Sequence, residues 1–142
     1  MQSLIPALAL LAASAPALAA SPLEGSWTNP KGSVTVRIAP CGDDALCGRV
    51  TSASAGAKAD AAESGTPNLI GTELLSELVS NGEGSWHGLV FVPAVGRQAD
   101  ADVHLLSRST MEVSGCALAG MLCKTQQWTR VAGPAPARRH RR

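Results

Sequence analysis

Residues Ser33-Val34-Thr35-Val36-Arg37-Ile38 alternate polar and apolar, with β-branched side chains at most positions. A period of two is the mark of a strand with one face in a core and one in water. It predicts Val34, Val36 and Ile38 inward, with Ser33, Thr35 and Arg37 outward. The same period returns at residues 100–106, with Ala101, Val103 and Leu105 inward and Asp102 and His104 outward, and again at Met111 and Val113. Ser85 to Val92 is a β-prone run closed by Pro93, and Leu46 to Thr51 and Gln126 to Val131 read as further strands. With Leu23 to Thr28 as the first, the chain carries seven or eight short strands joined by turns. No βαβ repeat is present. The expected class is therefore all-β, a small antiparallel meandering barrel or sandwich.

Between the strands, Pro40-Cys41-Gly42-Asp43-Asp44, Asn81-Gly82 and Ser107-Arg108-Ser109 have turn composition. Residues 52–67 turn to Ala, Ser, Gly and short charged side chains with no apolar period, which predicts a long flexible loop. From Asn68 to Val79 the leucines at 74, 75 and 78 have helical spacing, yet a strand over 68–75 fits equally well. A short helix there and a strand there are both open.

The first residues describe destination rather than fold. An apolar stretch, Leu4 to Leu18, ends in Ala17-Leu18-Ala19, the small-x-small pattern of a signal-peptidase site. Cleavage between Ala19 and Ala20 would remove a signal peptide of residues 1–19. The stretch is shorter than the roughly 20 residues that cross a bilayer and contains Pro6 and Pro16, so a transmembrane anchor is disfavoured. The expected location is periplasmic or secreted, with residues 20–133 as one domain.

Four cysteines suit an oxidising compartment. They fall in close pairs, Cys41/Cys47 and Cys116/Cys123, each bracketing an expected hairpin turn. Three connectivities are open in principle, and the two local ones are expected. The C-x5-C and C-x6-C spacings miss the tight knuckle of a zinc site, so no metal or other cofactor is expected.

Of 12 basic and 11 acidic residues, four basic ones crowd the end of the chain at Arg138, Arg139, Arg141 and Arg142. The body then holds eight basic against eleven acidic residues, a balance of −3, which argues against nucleic acid as a partner. Residues 134–142 read as a disordered basic tail with affinity for an anionic surface or another envelope component.

The fragments also form a pattern. Gly25-Ser26-Trp27, Cys41-Gly42 with Leu46-Cys47-Gly48-Arg49-Val50, Asn68-Leu69-Ile70-Gly71, Trp86-His87-Gly88, Pro93 with Gly96-Arg97, and Gln126-Gln127-Trp128-Thr129-Arg130-Val131 occur in this order. Over residues 24–131 the chain resembles the domain of unknown function 2147 family of small secreted bacterial proteins. That resemblance implies a barrel-like fold in Gram-negative bacteria and supplies no catalytic residues. The chain departs from the family pattern at Val92-Pro93 and Gln98-Ala99, where members tend to carry Asp-Pro and a Tyr; it has no tyrosine. Gly25-x-Trp27 with Arg130 is also similar to the lipocalin arrangement, in which a Trp closes one end of an eight-stranded barrel beneath an Arg. Gly25, Trp27, Trp128 and Arg130 are accordingly the expected barrel-closing residues.

Three function classes follow. Hydrolase chemistry would have to use His104 with Asp102 on one strand face; His87 and His140 are the other histidines, and no serine sits in a nucleophile elbow. Asp43, Asp44 and Asp100 read more simply as turn and solvated-face residues. A barrel lined by Val, Leu and Ala could hold a small aliphatic or lipidic ligand. The expected class is a non-catalytic envelope-accessory or interaction module, with ligand binding as the alternative and hydrolysis last.

Overall fold

A computed structural model describes residues 20–117 and 122–132. Eight strands run β1 Gly25–Thr28, β2 Val34–Gly42, β3 Ala45–Ala53, β4 Glu73–Gly82, β5 Ser85–Val92, β6 Arg97–Leu105, β7 Thr110–Ala117 and β8 Leu122–Val131, with one helix, α1 Ala55–Glu63. Each strand pairs antiparallel with the next and β8 returns to β1, closing the barrel. The period-two residues decide the inside: Trp27, Val36, Ile38, Val50, Trp86, Val103 and Met111 are buried together. An eight-stranded barrel is just wide enough for such side chains to fill.

The strand boundaries differ from expectation in one way that matters at each end. β1 starts at Gly25 rather than Leu23. Leu23 is nevertheless fully buried, and its carbonyl accepts a hydrogen bond from Trp27 Nε1 at 2.9 Å. β2 continues through Pro40, Cys41 and Gly42, so the turn is only Asp43-Asp44, with Asp44 at φ 59°.

Residues 52–67 are not the loop that their composition suggested. Ser54 caps α1, its Oγ accepting from Ala57 N at 3.1 Å. The helix is built from alanine, the best helix former, but it meets the core only through buried Ala61 and partly buried Ala57. Alanine carries too little apolar surface to write a period, which is why a helix passed as a loop. At its far end Ser64 Oγ donates to Ala94 O at 2.6 Å, tying α1 to the β5–β6 turn.

The leucines at 74, 75 and 78 belong to β4, a strand. A bulge lies between Ser76 and Val79, with Glu77 at φ 52°. The extra residue turns both Leu75 and Leu78 inward three positions apart, which imitates a helix. Gly88 on β5 makes the bulge possible: a Cβ there would stand 2.5 Å from Ser76 O and 2.8 Å from Glu77 O.

The up-and-down order sorts the connections. One end holds residues 20–24, the turns at 43–44, 83–84 and 106–109, and the finish of β8. The other holds residues 29–33, α1 and the 93–96 turn. The expected signal segment 1–19, the expected cleavage point between Ala19 and Ala20, and the tail with Arg138, Arg139, His140, Arg141 and Arg142 lie outside the described residues. No helix among the described residues is long and apolar enough to cross a membrane.

Candidate functional site

At one end of the barrel Arg130 lies over Trp27. Its position opposite Trp27 in the β1–β8 register lays the guanidinium over the indole, 4.2 Å from the ring centroid. The same group donates from Nε to Arg108 O at 2.7 Å, from Nη1 to Glu24 O at 2.7 Å and from Nη2 to Pro22 O at 2.6 Å. Two segments at this end, residues 20–24 and the 106–109 turn, are thereby tied to one side chain. Gly25, at φ 133°, leaves room for it, since a Cβ would lie 2.5 Å from Arg130 Nη1.

The opposite end is different. Register fixes which residues share the inner face with buried Met111 and Val113: Trp128 stands opposite Met111, Gln126 opposite Val113 and Lys124 opposite Gly115. Across β5 and β6 the same face continues through Trp86 and Val103, Gly88 and Ala101, Val90 and Ala99, to Val92 and Arg97. Near the Arg130 end these positions are buried. Toward the other, Val34, Val90, Ala99 and Gly115 are only half-buried, and Gln126, Lys124 and Arg97 are exposed although they face inward. A Cβ on Gly115 would sit 3.1 Å from Val90 Cγ1, so the valine packs over the glycine. Deeper in, Trp128 is 8% exposed, and its Nε1 is a buried donor with no acceptor among the described residues. Buried N–H groups are ordinarily satisfied, by protein, water or ligand. Trp128 stands on the inner wall opposite Met111, two residues from Arg130 on β8.

The outer wall of β5 to β8 carries polar cross-strand pairs. His87 Nδ1 lies 2.9 Å from Asp102 Oδ1, with both side chains about half exposed. Hydrogen bonding to Asp102 raises the His87 pKa above 6.5, aided by the charges of Asp102 and Asp100 and opposed by partial desolvation. The pairing of Asp102 with His104 suggested by sequence does not form. Register puts Asp102 beside His87 and gives His104 to Ser85, whose Oγ lies 2.9 Å from His104 Nδ1. Glu112 stands opposite His104 on the other side. Serine, histidine and glutamate thus lie in one row, on a convex and solvated face. A shallow groove of about 450 Å³ adjoins it, lined by Glu77, Val79, Ser80, Asn81, His87, Gly88, Leu89 and Asp100. The serine meets the imidazole through Nδ1. The row's chemistry is that of a hydrogen-bonded sheet surface.

Cys41 pairs with Cys47 and Cys116 with Cys123, each within one hairpin. Glu73 lies near the first pair, close enough to make a three-residue cluster of possible metal donors. The disulfide consumes both thiolates, so that cluster offers a metal only the carboxylate.

The matching family model, described as an uncharacterized protein conserved in bacteria (DUF2147), spans residues 25–130. The chain belongs to the DUF2147 family. Those residues include every strand up to Arg130 itself, so the family core and the barrel coincide. Among solved structures, this DUF2147 barrel is similar to protein HP1028 from Helicobacter pylori, described as belonging to the lipocalin family. Identity is 20%, with 78% of this chain and 83% of that one covered, at a TM-score of 0.61. The likeness establishes a lipocalin-like fold. No curated protein sequence matches the chain.

Proposed function

We propose that the chain is a non-catalytic binding protein of the cell envelope that takes a small apolar or lipidic ligand through the end of the barrel opposite Arg130. The observation that carries this is the set of inward-facing yet accessible residues, Val34, Val90, Ala99 and Gly115, above a core that is buried toward Arg130. In a barrel that served only as a scaffold, the inner face would be packed along its whole length. Here Ala99 and Gly115 are partly accessible on that face, beyond buried Gly88 and Ala101. The signal-like pattern of residues 1–19 and the two disulfides support action outside the cytoplasm.

Docking to another envelope component, the function class expected from sequence, adds a partner to this picture through the basic tail at Arg138, Arg139, Arg141 and Arg142. The barrel geometry bears on the ligand alone. Native mass spectrometry of protein purified from the envelope fraction tests the binding. A co-purifying apolar molecule, released on denaturation, is expected. Protein of bare mass whose melting temperature responds to no aliphatic amphiphile would overturn the proposal.

A further inference from the structure

Charges on the strands are sorted by face. The body is acidic overall, yet the inward positions of the strands carry Arg97, Lys124 and Arg130 and no acidic residue. Asp100, Asp102 and Glu112 all sit on the outer face, and Glu73 bridges outward to Arg49 at 3.5 Å. Arg130 is accounted for by its three carbonyls and Trp27. The other two inward cations are not. The ion pairs among the described residues are Arg49–Glu73 and His87–Asp102, and neither involves Arg97 or Lys124. Both stand at the accessible end, Arg97 where β6 leaves the 93–96 turn and Lys124 opposite Gly115.

Below Lys124 on the same inner line of β8 come Gln126 and then Trp128 with its buried, unsatisfied N–H. Lysine, glutamine amide and indole are all donors, and no carboxylate shares their face. The opposite wall is apolar, with Val34, Ala53 and Val90 packed against the core cluster. Donors on one side and hydrocarbon on the other describe a ligand with two ends.

Resting on the barrel-binding proposal, we infer that this ligand is a single-chain anionic amphiphile. Its acidic headgroup is held by Lys124 and Arg97 at the mouth with Gln126 beneath, and its aliphatic part lies against Val34, Ala53 and Val90. A charge-assisted hydrogen bond is the stronger kind.

Three probes of equal chain length separate the possibilities: laurate and dodecyltrimethylammonium below their micelle concentrations and dodecanol below its solubility limit, each titrated calorimetrically with the full chain. Laurate is expected to bind at least about tenfold more tightly than dodecanol, and the cationic probe most weakly. The double variant Arg97→Met, Lys124→Met keeps side-chain bulk without charge. It should bring laurate to the dodecanol level and leave dodecanol unchanged, with the far-UV spectrum unaltered because both residues are exposed. Equal binding of laurate and dodecanol, or a laurate preference that survives in the double variant, would overturn the headgroup assignment while barrel binding stands. Failure of all three probes to bind would overturn both proposals.

Discussion

Replacing Arg130 with Ala should cost about 3 kcal/mol of stability, a figure that follows from what the side chain touches. The Nη1 bond to Glu24 O is partly buried, so its loss strands an acceptor that water reaches poorly, at about 1–1.5 kcal/mol. The bonds to Pro22 O and Arg108 O are exposed, and water replaces them at about 0.5 kcal/mol each. Stacking over Trp27 adds roughly 0.5–1 kcal/mol. For a domain of this size the total corresponds to a fall in melting temperature on the order of 15 °C. Arg130→Lys keeps a cation over the indole but cannot fork to three carbonyls, so about half the loss is expected. Urea unfolding followed by tryptophan fluorescence measures both variants, and near-ultraviolet circular dichroism reports the packing of Trp27. A loss below about 1 kcal/mol for Arg130→Ala, or a lysine variant as stable as the parent, would show that backbone pairing alone closes this end.

Two further outcomes test the walls. Gly88→Ala places a methyl group against the carbonyls of Ser76 and Glu77 and should destabilise by about 2–3 kcal/mol in urea unfolding; a loss under about 0.5 kcal/mol would mean that the bulge yields freely. The raised pKa of His87 makes its protonated form the one favoured by folding. That contribution is full below the unfolded value near 6.5 and is lost as pH rises through the higher folded value. Titration of the His87 ring by NMR should give a midpoint above 6.5 that falls in Asp102→Asn; a midpoint unmoved by that substitution would refute the assignment.

Much of the barrel was legible because its strands are half-buried. Val34, Val36 and Ile38, or Ala101 and Val103, record the inner face directly. The donor line was legible in principle by extending the same alternation. Counting back by two from Ala101 gives Ala99 and Arg97, and counting back from Trp128 gives Gln126 and Lys124. A cation on an inward position contradicts the ordinary pattern, and that contradiction is the signal. It was missed because polar residues at strand ends pass easily for solvent-facing ones. α1 escaped for the opposite reason, since alanine has helical propensity without a hydrophobic stripe.

What the sequence determines by itself is therefore everything written in period two and in local chain spacing. That covers the all-β class, the inner face of most strands and the grouping of the cysteines into two close pairs, whose pairing within each hairpin the structure shows. Tertiary structure alone decided which residues from distant strands meet. Asp102 could pair with His104 two residues along its strand or with His87 on β5, and only the register chose His87. The bulge at Glu77 likewise became a bulge because β5 offered Gly88 opposite it. Alternation within one strand is a property of its own backbone, whereas register is set by barrel closure, which sums the turns and bulges of all eight strands.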